Sequence, residues 1–486
     1  MNKVVFALIL SQFLFLNQTT KAQEVDAYFY CAPFYVPGNG TYVETYLAFA
    51  GHSMRYLLNT DNVFQASAEV TMLFKNDADI VEYRKFKVVS PGLPDTTSVF
   101  PSFIDQHRIM IPEGVYNFEL TVRDINAPDS IKPFELSELI TVHIPQDEIS
   151  FSGIELIERY EATEKQNIFV KNGYECIPYV SDFFPNQVNQ IKFYAELYNA
   201  AASLGPMEDF LFQFHIESSN THKPIKEYSS FQKQKAQNAN VVLSEINISK
   251  LSTGNYYLVV EVRDRQNKRV LEARKFFQRK NNYEATPAND IASIEVQNTF
   301  AAKYTNRDTL AIYLSSLRPI CDIAENRFID NQLVAANLKL MQQYFYSFWQ
   351  KRNEVNPELA WNEYRLNLNV VEQKFNSQQK HGFATDRGRV YLQYGPPSST
   401  IEEKNEPNAY PYEIWHYYKI ADQTDRKFIF YNKTLLNQDY ELLNSTMKGE
   451  LSNSFWESEL YSRSGNWVES NLKTNKSKAR ELFEGK

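Results

Sequence analysis

Apolar and polar residues alternate with a period of two in "EGVYNFELTVRD" (113–124) and again in "TGNYYLVVEVRD" (253–264). Successive side chains of a strand face opposite ways, so each stretch predicts a half-buried strand entered from a turn glycine. The two superimpose without a gap. Gly114 falls on Gly254, Tyr116 on Tyr256, Phe118 on Leu258, Leu120 on Val260, Val122 on Val262 and Arg123-Asp124 on Arg263-Asp264. Upstream, "CAPFYV" (31–36) resembles "CIPYV" (176–180), and the cysteines precede the turn glycines by 83 and 78 residues. The same landmarks in the same order predict a duplicated unit. Short strands such as "YVETYLAFA", "AEVTMLFK", "ELITVHI", "IKFYAELYNA" and "FLFQFHIES" fill the gaps. Many short strands with no helical period point to two antiparallel β-sandwich domains of immunoglobulin or fibronectin kind, at 23–147 and 148–286. The tyrosine after each turn glycine suits the corner hydrogen bond of such folds.

Beyond "NNYEATPAND" the period changes to that of a helix. "DTLAIYLSSL" begins at Asp308 as a cap and is closed by Pro319. A longer helix over 331–351 carries Leu338, Met341, Phe345 and Phe348 on one stripe. The next opens with Asn356-Pro357-Glu358, a capping residue, a proline at the first helical position and an acid that suits the helix dipole. Its Trp361, Tyr364, Leu368, Val371 and Phe375 recur at three and four residues, and the two stripes predict an antiparallel helix pair with an aromatic core. From 381 onward, "YEIWHYY", "KFIFYN" and "DYELLN" supply a small antiparallel sheet. The third domain, an α+β domain at 287–465, is thus helical to 380 and sheet-forming from 381. Residues 466–486 read as a polar tail or short helix.

Composition adds the compartment and removes some partners. Lys3, the apolar run from Val4 to Leu16 and the small-residue site ending at Ala22 have the order of a secretory signal peptide over 1–22. That run of 13 residues is shorter than the roughly 20 that cross a bilayer, and no later segment is long and apolar enough, so no transmembrane segment is expected. Removing Lys3 and Lys21 takes the net charge from -8 to -10. An acidic surface argues against nucleic acid, which rewards clustered Lys and Arg. Cys31, Cys176 and Cys321, one per predicted domain, are odd in number and make no disulfide framework; they read as buried apolar residues. No His-x-x-x-His or Cys-x-x-Cys pair occurs, so neither a metal site nor a cofactor is expected.

The densest cluster of unusual residues is "GFATDRGRVYLQYGPP" (382–397). Its punctuation predicts a turn at Thr385-Asp386-Arg387-Gly388, a strand from Arg389 to Tyr394 and a stop at Gly395-Pro396-Pro397. On that strand Arg387 and Arg389 would face opposite ways, one pairing with Asp386 and the other free to bind a carboxylate, phosphate or sulfate. The weak catalytic candidates are His381, Asp386 and His416. Glu402, Glu403, Glu406 and Glu413 are the nearby carboxylates a glycosidase-type pair would draw on.

Helices rich in Trp and acids, then Gly-Phe-Ala-Thr-Asp-Arg-Gly-Arg, a short apolar run, Gly-Pro-Pro and a downstream Tyr-Glu-Ile-Trp resemble the GWxTD-domain family of exported proteins of Bacteroidota and related bacteria. The resemblance covers roughly 300–460. Gly382, Phe383, Thr385, Asp386, Arg387, Gly388, Arg389, Gly395, Pro396 and Pro397 carry it, with Phe383 standing where the family has tryptophan. An aromatic there keeps a packing role; a role that needs the indole N–H is lost. The family supplies no established activity. The expectation is a non-enzymatic periplasmic or outer-membrane-associated protein, scaffold or interaction module, with an envelope protein or a glycan as partner. The alternative is a periplasmic hydrolase or glycan-binding accessory protein with its site at the TDRGR turn.

Overall fold

The computed structural model describes residues 25–485 apart from 77–78, 96–99, 284–290, 331–335, 378, 422, 436–438 and 465–476. The predicted signal peptide, the boundary at 286, the start of the 331–351 helix and most of the polar tail lie outside the described residues. The chain divides into two compact units, Met1–Cys31 with Gly40–Val142, and Ala32–Asn39 with His143–Lys486. The described structure is mostly antiparallel sheet, with its helices gathered toward the C-terminus.

In the first unit, a sheet of order Asp79–Val89, Ser67–Asn76, Gly114–Asp124, Phe134–Val142 shares one core with a second sheet that pairs Gly40–Phe49 with Phe103–Met110. The strand Gly114–Asp124 buries Tyr116, Phe118, Leu120 and Val122, as its alternation predicts. The Tyr116 hydroxyl donates to the Pro112 carbonyl at 2.8 Å. Asp124 closes the strand by accepting the Asn126 N–H at 2.9 Å.

The second unit opens with the same arrangement. A sheet of order Phe183–Phe184, Arg269–Arg279, Gly254–Arg263, Asp209–Ser218, Pro224–Lys235 shares its core with a six-stranded sheet in which Gln190–Tyr198 pairs with Ala239–Asn247. The Tyr256 hydroxyl donates to the Ser252 carbonyl at 3.0 Å, and Asp264 accepts the Gln266 N–H at 3.0 Å. Both tyrosines therefore bond to the carbonyl four residues upstream, and both aspartates make the turn that ends the strand. The glycine has the same reason in each case: a Cβ at Gly114 or Gly254 would lie 3.0 Å from the hydroxyl of Tyr116 or Tyr256.

The helices that follow pack around Trp361, which is fully buried, with the rings of Phe345, Tyr313 and Trp349 at 4.9, 5.0 and 5.6 Å. Asn356 caps Pro357–Phe375 by accepting the Leu359 N–H, with Pro357 at the first position. The earlier helix, Arg307–Ser316, is capped by Asn306 instead of Asp308; the Asn306 amide oxygen reaches the Thr309 N–H at 2.9 Å and leaves Asp308 inside the first turn. The antiparallel sheet Ser399–Glu403, Tyr412–Ile420, Gln423–Tyr431, Glu441–Ser445 runs in chain order and contains all three predicted segments. In the supposed polar tail, residues 478–484 form a helix, and Ala479 and Phe483 at i and i+4 are buried; Phe483 packs on Trp456 at 5.2 Å.

Candidate functional site

The quoted segment is a helix where the sequence predicts a strand. Gly382–Ala384 makes a 3-10 turn, and Asp386–Tyr394 is α-helical, ended by Gly395 at φ +83°. Thr385 starts it: its hydroxyl oxygen accepts the Gly388 N–H at 3.1 Å and donates to the Gly382 carbonyl at 2.8 Å. A threonine cap with an acid in the first turn is a helix start, and here it outweighs the strand-forming residues that follow. The two glycines permit close approach. A Cβ on Gly388 would overlap the Gly382 carbonyl oxygen and sit 2.8 Å from Val371 Cγ1, and one on Gly382 would overlap the Val371 carbonyl. The turn and the motif helix are thereby pressed against the helix Pro357–Phe375. Phe383 is buried in the same core, stacked on His381 at 5.0 Å, and its N–H donates to Glu372 at 3.1 Å.

The three charges of the motif reach two strands of the sheet and the turn that follows it. Asp386 pairs with neither arginine among the described contacts; its carboxylate accepts the Leu442 N–H at 2.7 Å, on the strand Glu441–Ser445. Arg387, 5% exposed, places Nη1 2.6 Å from Glu413 Oε1, and the other Glu413 oxygen accepts the Trp415 indole N–H at 3.1 Å. The Arg387 guanidinium also lies over the Tyr440 ring at 4.2 Å and the Phe375 ring at 4.9 Å. Arg389 holds Glu450 in two bonds of 2.7 and 2.8 Å, and the Tyr394 hydroxyl donates to the same carboxylate at 2.7 Å. Burial works against the charged Arg389, but the Glu450 bonds outweigh it and hold its proton more tightly than usual. Burial, then the Glu450 charge, pushes the Tyr394 hydroxyl well above its ordinary value.

Each remaining candidate has a partner of its own. His381 is exposed and faces Glu372 at 3.4 Å, while His416 bonds Asp425 at 2.6 Å. Asp386 belongs to Leu442, so no contact joins the three as an acid–base set. Of the four glutamates, Glu402 pairs with Lys404 and Glu403 with Lys478, Glu406 accepts the hydroxyls of Tyr412 and Tyr461, and Glu413 belongs to Arg387. Among the described residues no cluster of three or more His, Cys, Asp or Glu is placed to hold a metal ion, and no helix is long and apolar enough to cross a membrane. Cys176 and Cys321 are buried and Cys31 half-buried.

Sequence reasoning missed two partners. Glu413 has a local signal, since it is the second residue of the Tyr-Glu-Ile-Trp segment that accompanies the motif. Glu450, 61 residues from Arg389, has none.

The C-terminal region thus holds several helices, among them the motif helix, and a four-stranded antiparallel sheet. Residues 288–459 match the GWxTD domain, and the chain is a GWxTD-domain-containing protein. No curated protein matches it. Among solved structures, a red sea bream transglutaminase is 10% identical over 53% of this chain, which spans 31% of that enzyme, at a TM-score of 0.17. Fibronectin(III)-like modules of Clostridium thermocellum CbhA are 8% identical, with 51% of this chain and 90% of theirs covered, at 0.14. A DUF3823 family protein from Bacteroides ovatus is 12% identical, with 46% and 94% covered, at 0.16. Scores this low assign neither a fold nor an activity.

Proposed function

We propose that this is a non-enzymatic scaffold or interaction protein of the bacterial cell envelope. In this reading, two immunoglobulin- or fibronectin-like sandwiches space or bind, and the GWxTD domain presents a docking surface at the C-terminal end. The observation that carries it is the commitment of Asp386, Arg387 and Arg389 to three separate internal partners, two on strands of the sheet and one in the turn that follows it. A motif spent on internal contacts fixes the shape of a surface; catalysis would call for a converging set of groups. The twin tyrosine corners and strand-ending aspartates support the duplicated sandwich. The N-terminal pattern of Lys3, apolar run and Ala22 supports export to the periplasm or outer membrane.

The test is crosslinking of the tagged full chain in intact cells, with crosslinks mapped by residue after fractionation. The expected result is a chain starting at Gln23 in the envelope fraction, joined at residues of 288–459 to a defined envelope component. A chain kept in the cytoplasm with its first 22 residues, or crosslinks confined to itself, would overturn the proposal.

A further inference from the structure

A cavity of about 330 Å³ opens between the second strand-rich region and the GWxTD domain, within the second compact unit. That volume lies at the small end of the roughly 300–1,000 Å³ of small-ligand sites, which favour such junctions. Six separate segments build it: the loop after Asp209–Ser218, the paired strands Gly254–Arg263 and Arg269–Arg279, Ile320 at the end of the turn Arg318–Ile320, the end of the motif helix, the end of Tyr412–Ile420, and the turn around Lys448.

Its charge is one-sided. Lys419 and Lys448 line it, with His222 at the rim, and no Asp or Glu does. Elsewhere in this domain Lys380, Lys404, Lys427 and Lys433 each have a carboxylate within 4 Å. Lys419 and Lys448 have none among the described residues. In a chain of net charge -8, two uncompensated ammonium groups sharing one concavity form a local electropositive site.

The other walls suit hydroxyls and a ring. Asn220 donates Nδ2 to the Cys321 carbonyl at 3.2 Å and keeps its amide oxygen for a ligand. Asn255 accepts from Gln278 at 3.1 Å and keeps Nδ2. The cavity therefore presents an acceptor and a donor. Behind them Tyr257 and Phe276, both buried and 5.7 Å apart, offer an aromatic surface. The site is also held in shape. The Lys448 N–H donates to Gln423 at 3.0 Å, and Gly449, at φ +92°, lets the turn approach the Asn255 amide and the Phe276 ring. On the opposite wall Gln393 accepts from Arg389 at 3.0 Å and donates to the Tyr394 hydroxyl at 3.0 Å. The Arg389–Glu450 clasp thus positions this wall of the cavity.

We infer that this cavity binds a small anionic sugar of the uronic acid type. The carboxylate sits between Lys419 and Lys448, the hydroxyls bond to Asn220 and Asn255, and one ring face lies against Tyr257 and Phe276. The two lysines supply point charges for one anionic group without the bidentate geometry of an arginine fork, and the neighbouring amides and rings supply the contacts for a sugar. The site is separate from the TDRGR turn, and the ligand meets none of the motif's own charges.

Calorimetric titration of the full chain at fixed ionic strength tests this with sodium glucuronate, neutral glucose and inorganic phosphate. Saturable binding of glucuronate at one site is expected, with glucose and phosphate each about tenfold weaker or more. Lys419→Met with Lys448→Met is expected to weaken glucuronate by at least about tenfold, since each lost charged hydrogen bond is worth roughly that factor, while leaving glucose unchanged. Neither lysine holds a carboxylate, so the tryptophan-reported unfolding midpoint of this variant should match the wild type and separate lost binding from lost folding. No saturable glucuronate binding, equal binding in the double variant, or phosphate binding as tight as glucuronate each overturns the inference.

Discussion

Replacing Arg387 by methionine strands one buried carboxylate, and the structure sets the size of the effect. The Arg387 and Glu413 side chains are 6% and 10% exposed and meet at 2.6 Å. Removing one partner of a buried pair costs about 3–5 kcal/mol, because the other charge stays out of water without compensation. Methionine keeps most of the volume between Phe375 and Tyr440, so the added cavity is small. Glu413→Leu strands the guanidinium and also removes the acceptor of the Trp415 N–H, for about 1–3 kcal/mol more. Among the described contacts the double variant leaves the Trp415 indole unpaired, and its cost falls back to about 1–3 kcal/mol. The cycle therefore predicts a coupling of roughly 3 kcal/mol or more. The assay is urea unfolding followed by tryptophan emission. All five tryptophans, Trp349, Trp361, Trp415, Trp456 and Trp467, follow residue 287, so the signal comes from the C-terminal part of the chain and from neither of the strand-rich regions before it. A loss below about 1 kcal/mol in Arg387→Met, or a double variant equal to the sum of the singles, refutes the clasp.

Three further outcomes follow from the geometry. Gly388→Ala drives a methyl group into the Gly382 carbonyl and should lower the same tryptophan-reported stability by about 3 kcal/mol or abolish folding of the domain; an unchanged midpoint contradicts the close packing. Tyr116→Phe and Tyr256→Phe each lose one hydrogen bond to backbone and should each cost about 1 kcal/mol in unfolding followed by circular dichroism, with similar values if the two units are built alike. For Glu217, burial opposes the charge, but the His215 hydrogen bond and the Arg274 charge outweigh it and set the carboxyl below its ordinary value. A depressed carboxyl stabilises the fold above the ordinary glutamate range, and that contribution disappears as the pH falls through the folded value. Glu217→Gln should thus flatten the acid limb of the stability curve measured by circular dichroism, and an unchanged limb shows that the pair adds nothing.

Local order was legible in the chain. Period-two alternation announced the strands Gly114–Asp124 and Gly254–Arg263, and with them the two tyrosine corners, because a strand's faces and a bond to the fourth residue upstream depend on near neighbours. Asn356-Pro357 announced its helix for the same reason. The motif segment misled because Arg389–Tyr394 is rich in strand-forming residues and bracketed by glycine and proline, whereas a helix of nine residues shows only two turns of periodicity. Its true start was encoded in the Thr385 cap, which tertiary packing through Gly382 and Gly388 then made decisive. The partners of its charges could not be read. Arg387 and Glu413 lie 26 residues apart, and Arg389 and Glu450 lie 61 apart. Sequence places a charge, but only folding brings the opposite charge to it and removes the water that would otherwise screen the pair. The same holds for the cavity, whose walls come from six segments between residues 219 and 448 and whose uncompensated lysines exist as a site only once those segments converge.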